Sequence, residues 1–266
     1  MADDGRIQQA AQFLFEAHRA RQTFGPMPET CAPRTVDEAY AVQEALQTLM
    51  AAAHGPVAGH KIALTTPAMQ RLVGFHAPFA GAILARTIYQ SPVTLRRADY
   101  GRLGIECEIA VQLGTDLPAA KAPYRRDDVA DAIAAVMAAF ELVDDRQADY
   151  AQLAALVLTL IADNAWNAGI VLGSPVQDWR TIDLAAARGV LVINGTVVGE
   201  GRGSDVMGHP LEALVWLVNM LAAHGKSLRP GMIIMTGSIV TTKFVNPGDA
   251  ATLSLDGLGE VRLSVA

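Results

Sequence analysis

The segment GIECEIAVQL at residues 104–113 places two glutamates, Glu106 and Glu108, inside an apolar run. The flanking pattern is typical of a buried β-strand, in which alternate side chains point to the same face. Two carboxylates on one face repel each other unless one is protonated or a cation lies between them, and carboxylates are seldom fully buried without a partner. Two interpretations remain open: a cation site in the interior, or an edge strand whose glutamates face water.

The composition restricts the class of protein. The chain has 266 residues, of which 51% are apolar and 18% are charged, which is typical of a globular protein with a sizeable core. The net charge is −6 and there is no basic block, so we expect no nucleic-acid partner. The longest apolar stretch, 151–162, is shorter than the roughly 18 residues of a membrane span, and the acidic start MADDGRIQQ predicts no signal peptide. Cys31 and Cys107 suggest no disulfide framework, which favours a cytoplasmic location.

Strand patterns that come in hairpins, rather than alternating with helices, predict an α+β fold with a mixed or antiparallel sheet. The clearest hairpin lies at 189–201, where apolar residues alternate around Asn194-Gly195, a type I′ turn signal. Two helical patterns separated by a proline-rich loop come first. We therefore expect residues 1–56 to form an N-terminal helical segment packed on a main domain of residues 57–266.

A third carboxylate, Glu141, could complete a cation site. We expect a helix capped by Asp127 or Asp128 to run to about Phe140, and Glu141 to stand where this helix gives way to a short strand, ELVDD. Hard divalent cations such as Mg²⁺ or Mn²⁺ take oxygen ligands and usually keep positions open for water and substrate. Three carboxylates would suit such an ion.

Five segments, in order, resemble those of the branch of the fumarylacetoacetate hydrolase superfamily that contains the 2-keto-4-pentenoate hydratases and 4-oxalocrotonate decarboxylases. They are GHKIALTTPAMQRLVG (59–74), GIECEIAVQLG (104–114), AAFELVDDR (138–146), ADNAWNAGIVLG (162–173) and MTGSIVTTKFVNPGD (235–249). The resemblance extends from about residue 5 to the C-terminus. It implies a fumarylacetoacetase-like mixed β-sheet roll or sandwich with peripheral helices, and a homo-oligomer.

The resemblance also implies the site. Glu106, Glu108 and Glu141 match the family's ligands for Mg²⁺ or Mn²⁺. Lys61, whose apolar surroundings by themselves favour a side chain that extends to water, matches a lysine that faces the substrate and takes part in proton transfer. Ser238 matches the serine of the family's T-G-S segment and could donate a hydrogen bond to substrate.

The segment ADNAWNAGIVLG contains both matches and departures. Asp163 and Asn164 match the family and are candidate substrate-binding residues, with polar scaffolding as the alternative. Trp166 and Asn167 replace residues that are commonly small or hydroxyl-bearing. They either reshape the pocket or, for Trp166, belong to the core.

A second departure lies at 74–81, GFHAPFAG, where family hydratases usually have an acidic segment such as V-D-x-P-D-Y-G. His76 stands near the place where an aspartate is expected. Because histidine titrates near neutrality, His76 is a candidate catalytic acid or base. The alternative is a loop histidine without a role.

Two other polar stretches have weaker interpretations. Asp144, Asp145 and Arg146 either form an ion-pair cluster that supports Glu141 or end a strand in solvent. The glycine-rich GEGRGSD at 199–205 does not open a convincing helix, so we expect no phosphate loop there.

The resemblance implies that a 2-oxo or 2-hydroxydienoic acid is the substrate. We predict a metal-dependent hydratase (a lyase) that adds water to a 2-hydroxy-2,4-dienoate of the 2-keto-4-pentenoate type, giving a 4-hydroxy-2-oxo acid in aromatic catabolism. The alternatives are a 4-oxalocrotonate-type decarboxylase and an acylpyruvate C–C hydrolase. From a different class, the chain could be a non-catalytic subunit in a complex with a related pathway enzyme.

Overall fold

Two β-sheets, of seven and five strands, form the framework of this computed structural model, which describes residues 4–266. Residues 1–3, the start of the segment for which the sequence predicts no signal peptide, lie outside the described part. The α-helices are α1 (Asp4–Arg19), α2 (Val36–His54), α3 (Pro67–Val73), α4 (Arg126–Asp131), α5 (Val157–Ala162) and α6 (Pro210–Ala223). The strands are β1 (Val57–Ala63), β2 (Phe79–Leu84), β3 (Ile88–Gln90), β4 (Val93–Leu95), β5 (Leu103–Leu113), β6 (Ile133–Asp144), β7 (Asn167–Leu172), β8 (Arg188–Ile193), β9 (Thr196–Arg202), β10 (Ile233–Phe244), β11 (Ala250–Leu255) and β12 (Gly259–Val265).

The larger sheet is mixed and curled. Its strand order is β2-β1-β10-β5-β6-β7-β3, with β1–β10 and β3–β7 parallel and the other pairs antiparallel. Strands β2 and β7 contact each other although β1, β10, β5 and β6 lie between them in the sheet order, so the sheet bends into a roll. The smaller sheet, β4-β12-β11-β8-β9, packs against the outside of the roll at β6. The predicted α+β architecture, a mixed roll and sandwich with peripheral helices, is confirmed.

Strand β5 divides its side chains between the two faces of the roll. Ile105, Cys107 and Ile109 point outward into the core between the two sheets, so Cys107 is a core residue, as predicted. Glu106 and Glu108 alternate with them and point into the roll. A small apolar cluster, which includes Ala110, Met137 and Met235, fills the inside of the roll beside them.

The predicted helix from Asp127 or Asp128 to Phe140 is wrong. Helix α4 ends at Asp131, and the sequence IAAVMAAFELVD that follows is the long strand β6. This strand is central and buried on both faces, so its sequence lacks the alternation that marks a half-buried strand, and its alanines mimic a helical segment. Glu141 therefore lies within a strand, directly opposite Glu106 of β5, and not at the end of a helix.

Helices α1 and α2 pack on one another and on α5 in a second hydrophobic cluster. Thr35 caps α2, accepting a hydrogen bond from the backbone N–H of Glu38 at 3.1 Å. The buried Gln43 of α2 donates to the carbonyl oxygens of Ala80 (2.9 Å) and Ile161 (2.6 Å), which ties α2 to β2 and α5.

The division of the chain near residue 56 stays a prediction. None of the helices described is both long and apolar enough to cross a bilayer.

A buried ion-pair network fixes the chain that follows β6. Arg146 Nη2 lies 2.9 Å from Asp163 Oδ2, and His18 Nε2 of α1 lies 2.7 Å from Asp163 Oδ1. Burial alone would raise the pKa of Asp163, but the attraction of Arg146 and His18 outweighs it and holds the pKa below its ordinary value. Asp163 thus connects α1, the end of β6 and α5.

We predict that Asp163→Asn lowers the free energy of unfolding by about 3 kcal/mol, because it leaves the buried Arg146 guanidinium without its counter-charge. The folded-state pKa lies below the ordinary value of 3.8, so the contribution is complete above that pH and is lost as the pH falls through the folded-state pKa. Urea unfolding at pH 7 measures the change. Asp131→Asn, which breaks the exposed pair with Arg180, is the control and should leave the midpoint almost unchanged.

Candidate metal centre

Three carboxylates converge on the inside of the roll. Glu106 of β5 and Glu141 of β6 are direct partners in the strand register, and Glu108 lies two residues further along the same face of β5. Each offers one oxygen, and the three oxygens lie within 4.8 Å of one another. Glu108 and Glu141 are fully buried, while Glu106 is partly open to a cavity.

One oxygen of each carboxylate is held by a donor. The backbone N–H of Gly237 donates to Glu108 Oε2 at 2.7 Å, and the hydroxyl of Thr242 donates to Glu106 Oε1. Glu141 Oε1 accepts from Asn167 Nδ2 at 3.1 Å and lies 2.9 Å from Lys61 Nζ. Each carboxylate is thus fixed in orientation with its second oxygen left over.

Two of those remaining oxygens are buried and unpaired. Glu108 Oε1 and Glu141 Oε2 have no hydrogen-bond partner within residues 4–266. A buried acceptor without a partner costs free energy, and more so when it is charged. An all-oxygen set of this kind fits a hard divalent cation such as Mg²⁺ or Mn²⁺.

Within the T-G-S segment, Gly237 occupies a position that only glycine can fill. Its φ is +115°, and a Cβ at this position would lie 2.3 Å from Thr65 Oγ1, so both the backbone angle and the space require glycine. The register between β10 and β5 shifts here. Ser238 holds the shift in place, accepting from the N–H of Cys107 (3.1 Å) and donating to the carbonyl of Val240 (2.6 Å).

The site contains more acidic than basic side chains, three carboxylates facing one lysine. Lys61 is 3% exposed and faces three carboxylates. Burial by itself lowers the pKa of Lys61, but attraction to Glu141, Glu106 and Glu108 outweighs it, so the pKa is raised and the side chain is an ammonium. Burial and repulsion between the carboxylates raise the pKa of Glu106 and, to a greater extent, of Glu108. A bound cation would relieve this repulsion.

A cavity of about 210 Å³ opens beside the carboxylates. Lys61, Glu106 and Ser238 line its polar end, and most of its remaining wall is apolar. Trp166 belongs to that wall, as does Tyr150, whose hydroxyl donates to Asp145 at 3.1 Å. The arrangement can hold a small molecule with an anionic head at the carboxylate and lysine end and an apolar tail.

Asp163, Asn164 and His76 do not line this cavity. Asp163 is engaged in its ion pairs, and Asn164 bonds to the backbone of Ala82 on β2 through Oδ1 (2.7 Å) and Nδ2 (2.8 Å). His76 is exposed in the loop between α3 and β2. The polar-scaffolding alternative therefore describes both Asp163 and Asn164.

Trp166 and Asn167, the two residues of the segment ADNAWNAGIVLG that depart from the family pattern, do reach the site. Asn164, Ala165 and Trp166 have φ values of 54°, 51° and 59°, a run of left-handed residues that is strained for side chains other than glycine. This turn brings Trp166 into the cavity wall and Asn167 to Glu141. The buried Nε1 of Trp166 has no hydrogen-bond partner among the described residues, and its ring contacts Phe24 edge-on at 5.0 Å.

Other parts of the site were not predicted. The hydroxyl of Thr242 and the N–H of Gly237 reach the glutamates through the pairing of β10 with β5, which joins residues far apart in sequence. The predicted support of Glu141 by an acidic cluster is absent from the described contacts, since Asp145 pairs with Arg102 and Arg146 pairs with Asp163.

Comparison with known proteins agrees with this geometry. Residues 63–266 match the fumarylacetoacetate (FAA) hydrolase C-terminal family. The chain belongs to this family. The three carboxylates and every strand of the roll except β1 lie within the matched region, whereas Lys61 on β1 lies just before it.

Individual relatives cover the whole chain. It is 36% identical to a 2-keto-4-pentenoate hydratase from Paraburkholderia phymatum, over 99% of each chain. It is 33% identical to a 2-hydroxyhexa-2,4-dienoate hydratase from Comamonas testosteroni, over 97% of each. A 4-oxalocrotonate decarboxylase from Pseudomonas putida G7, complexed with magnesium and adipate, has a similar structure, with a TM-score of 0.90, 26% identity, and 100% and 99% of the two chains covered.

We predict that Mg²⁺ or Mn²⁺ stabilises the protein, because the ion neutralises carboxylates that repel one another. At about 100 times its Kd, the ion should add about 2.7 kcal/mol to the free energy of unfolding. Thermal unfolding of EDTA-treated protein, with and without metal, measures this shift.

The matched variant is Glu108→Gln, which keeps the size of the side chain and removes one charge. It should unfold at a higher temperature than the wild type without metal, and should lose most of the metal-dependent shift. An equal metal shift in the variant and the wild type would show that the ion binds elsewhere.

Proposed function

We propose that the protein is a metal-dependent hydratase that adds water to a 2-hydroxy-2,4-dienoate and gives a 4-hydroxy-2-oxo acid. The observation that supports this most directly is the set of three convergent carboxylates and one ammonium at the polar end of an apolar cavity. The names of its relatives support the same reaction. The substrate class fits a place in the catabolism of aromatic rings.

In this proposal Glu106, Glu108 and Glu141 hold Mg²⁺ or Mn²⁺, which supplies Lewis-acid stabilisation of negative charge on the substrate's 2-oxygen. The Lys61 ammonium attracts the substrate carboxylate and delivers a proton to carbon. Ser238 lines the cavity, but its hydroxyl donates to the carbonyl of Val240, so we assign it a structural role in place of the predicted hydrogen bond to the substrate. We assign no role at the cavity to His76, Asp163 or Asn164, since their side chains lie elsewhere.

The charge of the wall favours a hydratase over a decarboxylase that acts on a dicarboxylate such as 4-oxalocrotonate. Lys61 is the one cation that the described residues contribute to the wall, and it is already paired with Glu141. Asp205, also in the wall, would repel a second substrate carboxylate. The tail of the substrate should therefore be uncharged.

The alternatives from other classes receive less support. A C–C hydrolase of acylpyruvates shares the metal chemistry, and product analysis separates it from a hydratase. A purely structural subunit would have no use for unpaired buried carboxylate oxygens, which cost stability. We infer a homo-oligomer, and the option of a complex with a related pathway enzyme, from the family resemblance. A cytoplasmic location is inferred from the two free, buried cysteines.

We predict that the purified protein with Mg²⁺ or Mn²⁺ removes the ultraviolet absorbance of 2-hydroxypenta-2,4-dienoate and forms 4-hydroxy-2-oxopentanoate. Lys61→Met should lower kcat by about 10²- to 10⁴-fold, because the proton donor is lost. Absorbance gives the rate and NMR identifies the product. Lys121→Met, at an exposed lysine outside the cavity, is the control and should retain the wild-type rate.

Three outcomes would contradict this function. They are the absence of metal-dependent turnover, the release of CO₂, and cleavage into two fragments. If a partner enzyme is found, full activity of the complex with Glu106→Gln would favour the structural role.

We also predict that kcat/KM for 2-hydroxypenta-2,4-dienoate exceeds that for its dicarboxylate counterpart, 2-hydroxyhexa-2,4-dienedioate, by about 100-fold or more. The second carboxylate of the longer acid would lose its hydration without gaining a cation. Parallel measurement of initial rates at one metal concentration tests this. Equal rates, or a preference for the dicarboxylate, would support the decarboxylase alternative.

A further inference from the structure

We propose that Asp205 is the catalytic base that takes a proton from the water added to the substrate. This inference rests on the proposed hydratase function and extends it, since it assigns the water-activating group. Asp205 lies in the glycine-rich segment 199–205, which forms the end of β9 and the turn after it and has no part in the carboxylate set. It is nevertheless a wall residue of the cavity that Lys61 and Glu106 also line.

Two glycines allow this segment to approach the cavity. At Gly201 a Cβ would lie 1.9 Å from the carbonyl oxygen of Ile239, and at Gly203 it would lie 1.8 Å from that of Leu184. No larger residue fits either position, so the segment packs directly on β10 next to Ser238. The N–H of Met207 donates to the carbonyl of Thr65 at 3.2 Å and ties the segment to the chain just after β1. The glycines therefore serve close packing and the placement of Asp205.

The carboxylate of Asp205 is oriented and partly free. Its Oδ2 accepts a hydrogen bond from the backbone N–H of Arg202 at 2.7 Å, and its Oδ1 has no partner in the part of the chain that the structure describes. Asp205 is exposed, so it can exchange a proton with solvent between turnovers. One fixed oxygen and one free oxygen suit a general base.

The other groups of the wall do not suit this role. Glu106 belongs to the carboxylate set, and Lys61 is an ammonium that cannot accept a proton. The Tyr150 hydroxyl donates to Asp145, and burial raises its pKa. The remaining polar wall residues are serine and threonine hydroxyls, which are weak bases. Asp205 is the one carboxylate that the described residues place in the wall outside the metal set.

The carboxylate of Asp205 compensates for the acidic residue that the segment 74–81 lacks. That segment presents the apolar ring of Phe79 to the cavity and leaves His76 outside it. Among residues 4–266, the segment before β2 thus contributes no acid or base to the wall, and a carboxylate enters from the β9 side.

The step balances as follows. Lys61 first gives a proton to the far carbon of the dienol and regains one as the 2-hydroxyl loses its proton, which leaves a conjugated 2-oxo-3-enoate. The oxygen of water forms a bond to C4, and one of its protons passes to Asp205. The electron pair of the C3–C4 double bond moves to the 2-oxygen as an enolate, whose C3 then takes a proton from Lys61. Asp205 releases its proton to solvent and Lys61 regains one, so the net change is addition of one water.

The experiment compares two reactions of the same site in wild type, Asp205→Asn and Asp205→Ala. The first is hydration of 2-hydroxypenta-2,4-dienoate. The second is exchange of the C3 hydrogens of 2-oxopentanoate with D₂O. This exchange requires the carboxylates and Lys61 at the polar end of the cavity but adds no water. We expect Asp205→Asn to lower kcat for hydration by about 10²- to 10⁴-fold while exchange and Mn²⁺ affinity stay within threefold of the wild type. Added formate should partly restore hydration in Asp205→Ala.

The control is Asp128→Asn. Asp128 Oδ2 accepts a hydrogen bond from the N–H of Arg125, three residues earlier, at 2.8 Å, which matches the local bond of Asp205, but Asp128 does not line the cavity. It should behave as the wild type in both reactions. Hydration by Asp205→Asn within threefold of the wild-type rate would overturn the inference, and so would an equal loss of both reactions without rescue by formate. If the wild type itself fails to hydrate the dienoate, the proposed function fails first and this inference falls with it.

Discussion

The burial of three carboxylates against one ammonium is the constraint on which the rest of this structure depends. Glu106, Glu108 and Glu141 lie within 4.8 Å of one another through their ligand oxygens, and Lys61 offsets only part of their charge. Folding must provide enough hydrophobic burial elsewhere to hold this repulsive set together. The large core between the two sheets, on the opposite face of the same strands, supplies that burial.

The parts of the fold nearest to the site can be understood from this requirement. Strand pairing sets Glu106 opposite Glu141, and the shift in β10 turns the N–H of Gly237 toward Glu108. The left-handed turn at 164–166 brings Asn167 to Glu141. In the second and third of these cases the backbone departs from regular geometry where a donor must reach a carboxylate. Strain of this kind persists only where the surrounding packing fixes it.

The sequence predicts which residues form the site better than it predicts the secondary structure and the nonlocal contacts that bring them together. The spacing of Glu106 and Glu108 predicts a shared strand face, and the Asn194-Gly195 turn predicts its hairpin, because both depend on local periodicity. The prediction of a helix over most of β6 is wrong because burial on both faces removes that periodicity. No local sequence pattern indicates a role for Asp205, because its place in the cavity wall depends on the close backbone contacts of Gly201 and Gly203 with segments distant in sequence. Nonlocal approach of this kind cannot be derived from one chain without its fold.

The line along which β2 and β7 meet, the seam of the roll, is packed by apolar side chains of both strands and bridged by a side-chain amide. Strands β2 and β7 meet without forming a described ladder of backbone hydrogen bonds, and the side chain of Asn164 bridges from the turn before β7 to Ala82. A closed barrel links strand number, tilt and stagger, so a change at one strand disturbs all the others. An open seam has no such linkage. A change in the bulk of the side chain at Trp166, beside the seam, can therefore reshape the tail end of the cavity while the pairing of β5 with β6 under the glutamates keeps its alignment.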